Sequence, residues 1–146
     1  MIVRAPVAGL VRPLSVVPDP VFAGSMVGPG LVIEPLPAPG VAVSPVDGRV
    51  SVLHPHAYVV VAGGRGVLVH LGLDTVLLGG AGFEALVEAG ATVACGQPMV
   101  RWDPAAVRAG GLSAACPVLA LDATASDLSA PASGSVAAGD PLFRWD

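Results

Sequence analysis

Lysine is absent from this chain: all seven basic residues are arginine, scattered from Arg4 to Arg144. Without a lysine amine there is no Schiff-base chemistry, no phosphate-gripping lysine of a P-loop, and no lipoyl or biotinyl attachment point. A formal net charge of −4 with no basic cluster removes the electrostatic footprint of a nucleic-acid binder as well. Charged residues of both signs make up only 12% of the chain against 53% apolar residues, which raises the question of a membrane. Yet no window of about 18 residues is free of charge, histidine, proline or dense glycine, so no spanning helix is expected. The opening "MIVRAPVAGLVRP" offers only a short apolar stretch broken by Pro6 and Arg12, too brief for a secretory signal. The expectation is a cytoplasmic protein without membrane insertion. Cysteine is scarce too: Cys95 and Cys116 lie far apart with no CxxC or paired-ligand pattern, and read as reduced, small apolar residues, a single disulfide being the alternative.

Glycine and proline, by contrast, are abundant. Nineteen glycines and fifteen prolines punctuate short runs of Val and Leu, the pattern of an all-β sandwich or barrel built from many short strands. Strands are expected at Val3–Val11, Gly30–Ile33, Gly40–Val43, Arg49–Leu53, Ala57–Val61, Gly66–Leu71, Thr92–Val93, Met99–Trp102, Pro117–Ala120, Gly134–Ala137 and Leu142–Trp145. Helical patterning is confined to Gly82–Ala89, where Phe83, Leu86 and Val87 share a face, and to a turn opening at Pro104 with Asp103 as N-cap. At 146 residues the chain reads as a single domain, 1–146, able to bury about two thirds of its unfolded surface. Met1 and the closing strand read as the ends of a separate protein.

The chain also repeats itself. "APVAG" (Ala5–Gly9), "SPVDG" (Ser44–Gly48) and "APASG" (Ala130–Gly134) share a small-Pro-x-x-Gly turn before a strand, and "GQPMVRWD" (Gly96–Asp103) returns as "GDPLFRWD" (Gly139–Asp146). Convergent turn chemistry accounts for the short motif equally well. The longer match points to two related β-units about a pseudo-symmetric core.

All three histidines fall between positions 54 and 70: His54 and His56 in "LHPHAYVV", His70 in "LVHLGLDTV". The segment between His56 and His70 has hairpin composition around Ala62-Gly63-Gly64-Arg65-Gly66. A three-residue loop, Ala62 to Gly64, sets Val61 opposite Arg65 and therefore His56 directly opposite His70, with Cβ atoms ~5 Å apart. A two- or four-residue loop offsets the pair by one and sends the rings to opposite faces. Two facing imidazoles suit phosphoryl transfer: one neutral ring is a nucleophile for phosphorus, the other donates an N–H to the phosphoryl oxygens. No ATP-binding loop is present, so the phosphoryl group has to come from another phosphorylated protein or small molecule. The competing chemistry is a zinc hydrolase with His54, His56, His70 and Asp74 as ligands and water in an open position. A non-catalytic regulatory binding protein is the third possibility.

The blocks "VFAGSMVGPGLVIEP" (Val21–Pro35), "SPVDGRV" (Ser44–Val50), "HAYVV" (His56–Val60), "VHLGLDTV" (Val69–Val76) and "GAGFEALVEAG" (Gly80–Gly90) resemble the glucose-type IIA component of the bacterial phosphoenolpyruvate-dependent sugar phosphotransferase system. The resemblance runs from about Ala5 to the C-terminus. It implies an antiparallel β-sandwich or distorted barrel with internal duplication and one or two short helices. It implies no cofactor and no metal requirement, and a phosphohistidine intermediate. By the resemblance, His70 is the phosphorylated nucleophile, acting through Nε2, and His56 stabilises the phosphoryl group. The carbonyl of Gly72 holds Nδ1–H of His70, fixing the tautomer that leaves Nε2 free. Asp19 and Asp74 match acidic positions that meet an arginine of the phosphocarrier protein HPr, and Phe22, Val27, Leu71 and Val76 match the apolar docking patch. The implied acceptor is the IIB domain of a glucose- or N-acetylglucosamine-type permease, with regulatory protein targets as further partners. The chain departs from the family before the second histidine: many members carry a threonine two residues upstream, whereas here the loop is shorter and His54 stands there, either replacing that contact or lying in solvent.

Overall fold

A computed structural model describes every residue except Ser25 and Met26, which fall inside the first of the blocks quoted above. Among the described residues the regular structure is mostly short antiparallel strands. In order these are β1 Ile2–Arg4, β2 Gly9–Pro13, β3 Gly30–Pro35, β4 Gly40–Val43, β5 Gly48–His54, β6 Ala57–Ala62 and β7 Arg65–His70. There follow β8 Phe83–Ala85, β9 Thr92–Val93, β10 Pro98–Trp102, β11 Cys116–Ala120, β12 Leu128–Ser129, β13 Gly134–Val136 and β14 Pro141–Trp145. Two short helices, α1 Pro20–Ala23 and α2 Pro104–Ala109, interrupt them. The second starts as its sequence requires: Asp103 caps it by accepting from the Ala105 amide at 3.0 Å, with Pro104 in the first turn.

Eight strands form one open sheet in the order β13-β2-β3-β11-β7-β6-β5-β9, and two three-stranded sheets, β1-β14-β12 and β4-β10-β8, complete the sandwich. The large sheet has free edges, so the barrel alternative of the sequence reading does not hold. Its order reads as two halves meeting at β11 and β7, and hydrogen bonds away from the ladders repeat in matched pairs. The Arg4 amide donates to the Pro45 carbonyl at 3.0 Å while the Val43 amide donates to the Pro6 carbonyl at 2.9 Å. Likewise Ala5 bonds Asp140 and Ser44 bonds Gln97. The repeated strands β10 and β14 occupy the centres of the two small sheets with the same alternation of buried and exposed residues. The internal duplication is therefore a pseudo-two-fold built into the backbone.

Close approach explains why two copies of the short motif need their glycine. A Cβ on Gly9 would lie 2.0 Å from the Glu34 carbonyl oxygen, and one on Gly48 would lie 2.3 Å from that of Val61. The third copy is different: Gly134 has open space around it and a φ of +72°, so "APASG" shares turn chemistry with the others but not their place in the symmetry.

Three expectations fail here. The single strand expected at Val3–Val11 is two, β1 and β2, which lie in different sheets. Gly82–Ala89 is not a helix; Phe83, Glu84 and Ala85 pair with Trp102, Arg101 and Val100, and Phe83 stacks on Trp102 with ring centroids 5.9 Å apart. Cross-strand pairing of an aromatic residue outweighs an amphipathic pattern too short to nucleate a helix. The β6–β7 hairpin is also tighter than the three-residue loop expected. Ala62 pairs with Arg65 across Gly63-Gly64, both at positive φ, as a two-residue turn matched to strand twist requires. His70 is consequently paired with Ala57, not with His56.

The main core draws on both halves, from Val3 to Trp145, with Tyr58, Val67, Val69 and Leu71 on its side of the large sheet. On the opposite face of the same sheet a smaller apolar cluster gathers Leu14, Val17, Val32, Leu73, Ala115 and Leu119, with Phe22, Val27 and Leu68 packed against it. Cys116 is buried and Cys95 half-buried, both as free thiols. Burial pushes the Cys116 thiol up to about 12, which leaves it inert.

Candidate functional site

Strand β7 alternates: Val67 and Val69 enter the main core, while Leu68 and His70 face the smaller cluster. His70 ends the strand, half-buried, with the small side chain of Ala57 as its cross-strand neighbour. Phe22, delivered by α1, meets the His70 ring edge to face at a centroid distance of 5.4 Å. Beyond the strand the chain turns sharply at Gly72, where φ is +82°. A Cβ there would stand 2.5 Å from Thr75 Cγ2 and 2.8 Å from the Ser113 carbonyl oxygen, so only glycine fits. The turn brings the Gly72 carbonyl 2.5 Å from Nδ1 of His70. With that carbonyl as acceptor, Nδ1 carries the proton and Nε2 keeps its lone pair.

Buried Thr75 secures this loop by donating its hydroxyl to the Leu71 carbonyl at 2.8 Å. Sequence reading passed over Thr75, although a threonine four residues after an apolar strand residue is a signal for such a back-bond.

His56 reaches the site from the β5–β6 hairpin, where Pro55-His56 is the turn between paired His54 and Ala57. Its carbonyl accepts from the Leu71 amide at 2.7 Å. Its ring approaches that of His70 at a centroid distance of 5.1 Å and an interplanar angle of 68°. The rings do share a site, but not through the cross-strand pairing expected: as a turn residue His56 escapes the alternation that would have sent its side chain to the other face. The His56 ring also stacks with that of His54, 5.7 Å between centroids and 16° from parallel.

Both inner imidazoles are biased toward the neutral form. Burial lowers the His70 pKa against the opposing pull of the Gly72 carbonyl and of Asp19 and Asp74. Burial also lowers His56, helped by the positive charge that His70 or His54 would carry. Asp19, half-buried, and exposed Asp74 line an open cleft of about 410 Å³ together with Leu73, Leu112 and Ser113. Asp74 holds a left-handed φ of 58° as it opens the 3-10 turn Thr75–Leu78.

The apolar positions separate. Phe22, half-buried, lies beside His70; Val27, also half-buried, packs on the smaller cluster; and Val76 is 60% exposed. Leu71, by contrast, is 0% exposed, because strand alternation turns it into the main core; it is not part of any surface patch. Leu77, missed in sequence reading, is 78% exposed next to Val76.

The zinc arrangement is not formed. Among the described residues no three His, Cys, Asp or Glu side chains converge as a metal site. His54 lies against the face of His56, whereas ligands must point ring nitrogens at a common centre. No helix among the described residues is long and apolar enough to cross a membrane.

The family model for the phosphoenolpyruvate-dependent sugar phosphotransferase system, EIIA 1, matches residues 1–126. The chain is 40% identical to the PTS system glucose-specific EIIA component of Bacillus cereus over 126 residues, covering 84% of this chain and 75% of that protein. It is 38% identical over 124 residues to the PTS system glucose-specific EIIBCA component of Corynebacterium glutamicum, covering 83% of this chain and 18% of that protein. Among solved structures, glucose permease IIA from Mycoplasma capricolum has the same fold, with a TM-score of 0.90 and 32% identity over 98% of this chain and 94% of that one.

Proposed function

Since this chain belongs to the EIIA 1 family of the phosphoenolpyruvate-dependent sugar phosphotransferase system, we propose that it carries the phosphoryl group on Nε2 of His70, taking it from phosphorylated HPr and passing it to a IIB domain. The observation that carries the assignment is the Gly72 carbonyl on Nδ1 of His70, which leaves Nε2 as the only ring atom with a free lone pair.

On this reading the Nε2 lone pair attacks phosphorus as the bond to the carrier's histidine breaks. His70 keeps its Nδ1 proton, so positive charge develops on its ring as the N–P bond forms. The Gly72 carbonyl and the carboxylates of Asp19 and Asp74 favour that charge, the same influences that raise the His70 pKa against burial. Neutral His56, ring to ring with His70, supplies an N–H to the phosphoryl oxygens. In passage to the acceptor, a cysteine thiolate of the IIB domain attacks phosphorus as the N–P bond to His70 breaks and its electron pair returns to Nε2.

Docking of both partners falls to the rim: Phe22, Val27 and Val76 as apolar contacts, Asp19 and Asp74 toward a basic group of the carrier. Such an interface suits weak, fast exchange. The sugar is of the glucose or N-acetylglucosamine type, the former as in the names of the Bacillus cereus and Mycoplasma capricolum relatives, and the reaction takes place in the cytoplasm where the carrier is found. The shared core from Val3 to Trp145 supports reading 1–146 as a single domain. Regulatory protein partners are compatible with the site, since phosphorylation changes the charge at the centre of its surface.

The test is labelling from phosphoenolpyruvate with enzyme I and HPr: the chain becomes phosphorylated, the label is acid-labile and maps to His70, and His70→Ala is unlabelled. A labelled His70→Ala protein overturns the assignment.

A further inference from the structure

His54 is the histidine that the proposed mechanism leaves without a task. It ends β5, paired with Ala57 across the Pro55-His56 turn, exposed, with its ring nearly parallel to that of His56. His56 needs such support. Among the described residues no hydrogen bond holds either nitrogen of its ring, and Pro55 fixes only the backbone that precedes it. Two rings neighbour that of His56: the ring of His70 at a centroid distance of 5.1 Å and 68° between planes, and the ring of His54 at 5.7 Å and 16° from parallel.

We propose that His54 is a positioning residue for phosphoryl transfer, its imidazole backing His56 so that the His56 ring is held against His70 and the phosphoryl group. This inference rests on the phosphoryl reading of His70. A group that donates an N–H to a transferring phosphoryl must already point at it, because each competing rotamer dilutes the productive one. A ring stacked beside that of His56 narrows the rotamers open to it. Offset stacking of two rings is favourable in itself. The ionisable groups acting on His56 are His54 from β5 and His70 from β7, and both disfavour its protonation. His54 therefore also helps keep His56 neutral as pH falls.

The experiment compares His54→Ala and His54→Phe with the unaltered chain. Expected for His54→Ala is a two- to tenfold slower passage of phosphate from the labelled chain to a IIB domain, about what one aromatic pair supports, with thermal stability lowered by no more than that one contact supplies. His54→Phe keeps the flat face and restores the rate, while the His56 titration read by NMR moves upward because the neighbouring charge is gone. Three-bond couplings at His56 are expected to report one χ1 rotamer in the unaltered chain and His54→Phe, and averaging in His54→Ala. Equal transfer by His54→Ala, a Phe variant as slow as the Ala variant, or couplings unaffected by either substitution overturns the proposal. Failure of the unaltered chain to take label overturns the phosphoryl reading instead, and the couplings still judge the ring contact.

Discussion

The carbonyl of His56 accepts from the amide of Leu71 at 2.7 Å, while on the other half of the large sheet the carbonyl of Pro29 accepts from the amide of Ala120 at 2.8 Å. The two bonds are pseudo-symmetric equivalents, and so Leu119, paired with Gly30, stands where His70 is paired with Ala57. The duplicated scaffold thus places the same backbone twice and arms it once. Leu119 went into the smaller cluster and became part of the floor on which Phe22 packs toward His70.

Replacing His56 separates the two imidazoles by role. His56→Gln keeps an N–H donor but loses the ring contacts that aim it at the phosphoryl group, so label from HPr still reaches His70 while its passage to a IIB domain slows by up to about 10²-fold, the loss for a transition-state donor no longer held in place. Single-turnover transfer from the labelled chain measures it. Unimpaired passage would remove His56 from the mechanism.

Gly72→Ala is expected to damage stability and transfer together. The new methyl meets Thr75 and the Ser113 carbonyl at a positive φ, a combination expected to cost about 1–3 kcal/mol and to move the carbonyl off Nδ1. Denaturant unfolding measures the first effect. Loss of the single Nδ1–H tautomer in the nitrogen-15 spectrum of His70 measures the second.

Thr75→Val preserves shape and removes the hydroxyl bonded to Leu71. A buried carbonyl left without its donor is expected to cost about 1–3 kcal/mol, and Thr75→Ser should recover most of it. If Thr75→Val is as stable as the parent, the loop is held by packing alone.

Leu71 and Val76, neighbours of the same motif, should respond in opposite ways. Leu71→Ala opens a hole in the main core and is expected to lose about 2–5 kcal/mol of stability. Val76→Ser, on the surface, should leave stability within about 0.5 kcal/mol and weaken HPr binding in titration calorimetry. A stable Leu71→Ala protein would contradict the packing described.

Acidification should destabilise the fold through the site. The folded His70 pKa lies below the ordinary 6.5 because burial prevails. Between the folded and unfolded values the unfolded chain binds more protons, so stability rises with pH across that window. The contribution of neutral His70 is complete above pH 6.5 and is lost as pH falls through the folded value; His56 acts in the same sense. Melting temperatures recorded from about pH 6.5 downward, above the carboxylate range, should fall less steeply for His70→Gln than for the parent. Parallel slopes would refute the neutral, buried histidine.

Much of this was legible in sequence because it is local. Gly and Pro punctuation bounded the strands at Gly40–Val43 and Thr92–Val93, Asp103-Pro104 announced its helix, and the "PMVRW" and "PLFRW" strands announced a duplication that the matched hydrogen bonds bear out. Tertiary structure alone decided the rest. Whether His70 faces His56 depends on a hairpin that closes on two residues rather than three, and a change of one residue moves a whole strand's partners. That the rings meet nonetheless depends on His56 being a turn residue, released from strand alternation. The same alternation sent Leu71 to the core although it adjoins the nucleophile. Residue types determined which chemistry was available; register and turn geometry, fixed only when distant strands pair, decided which of those groups face one another.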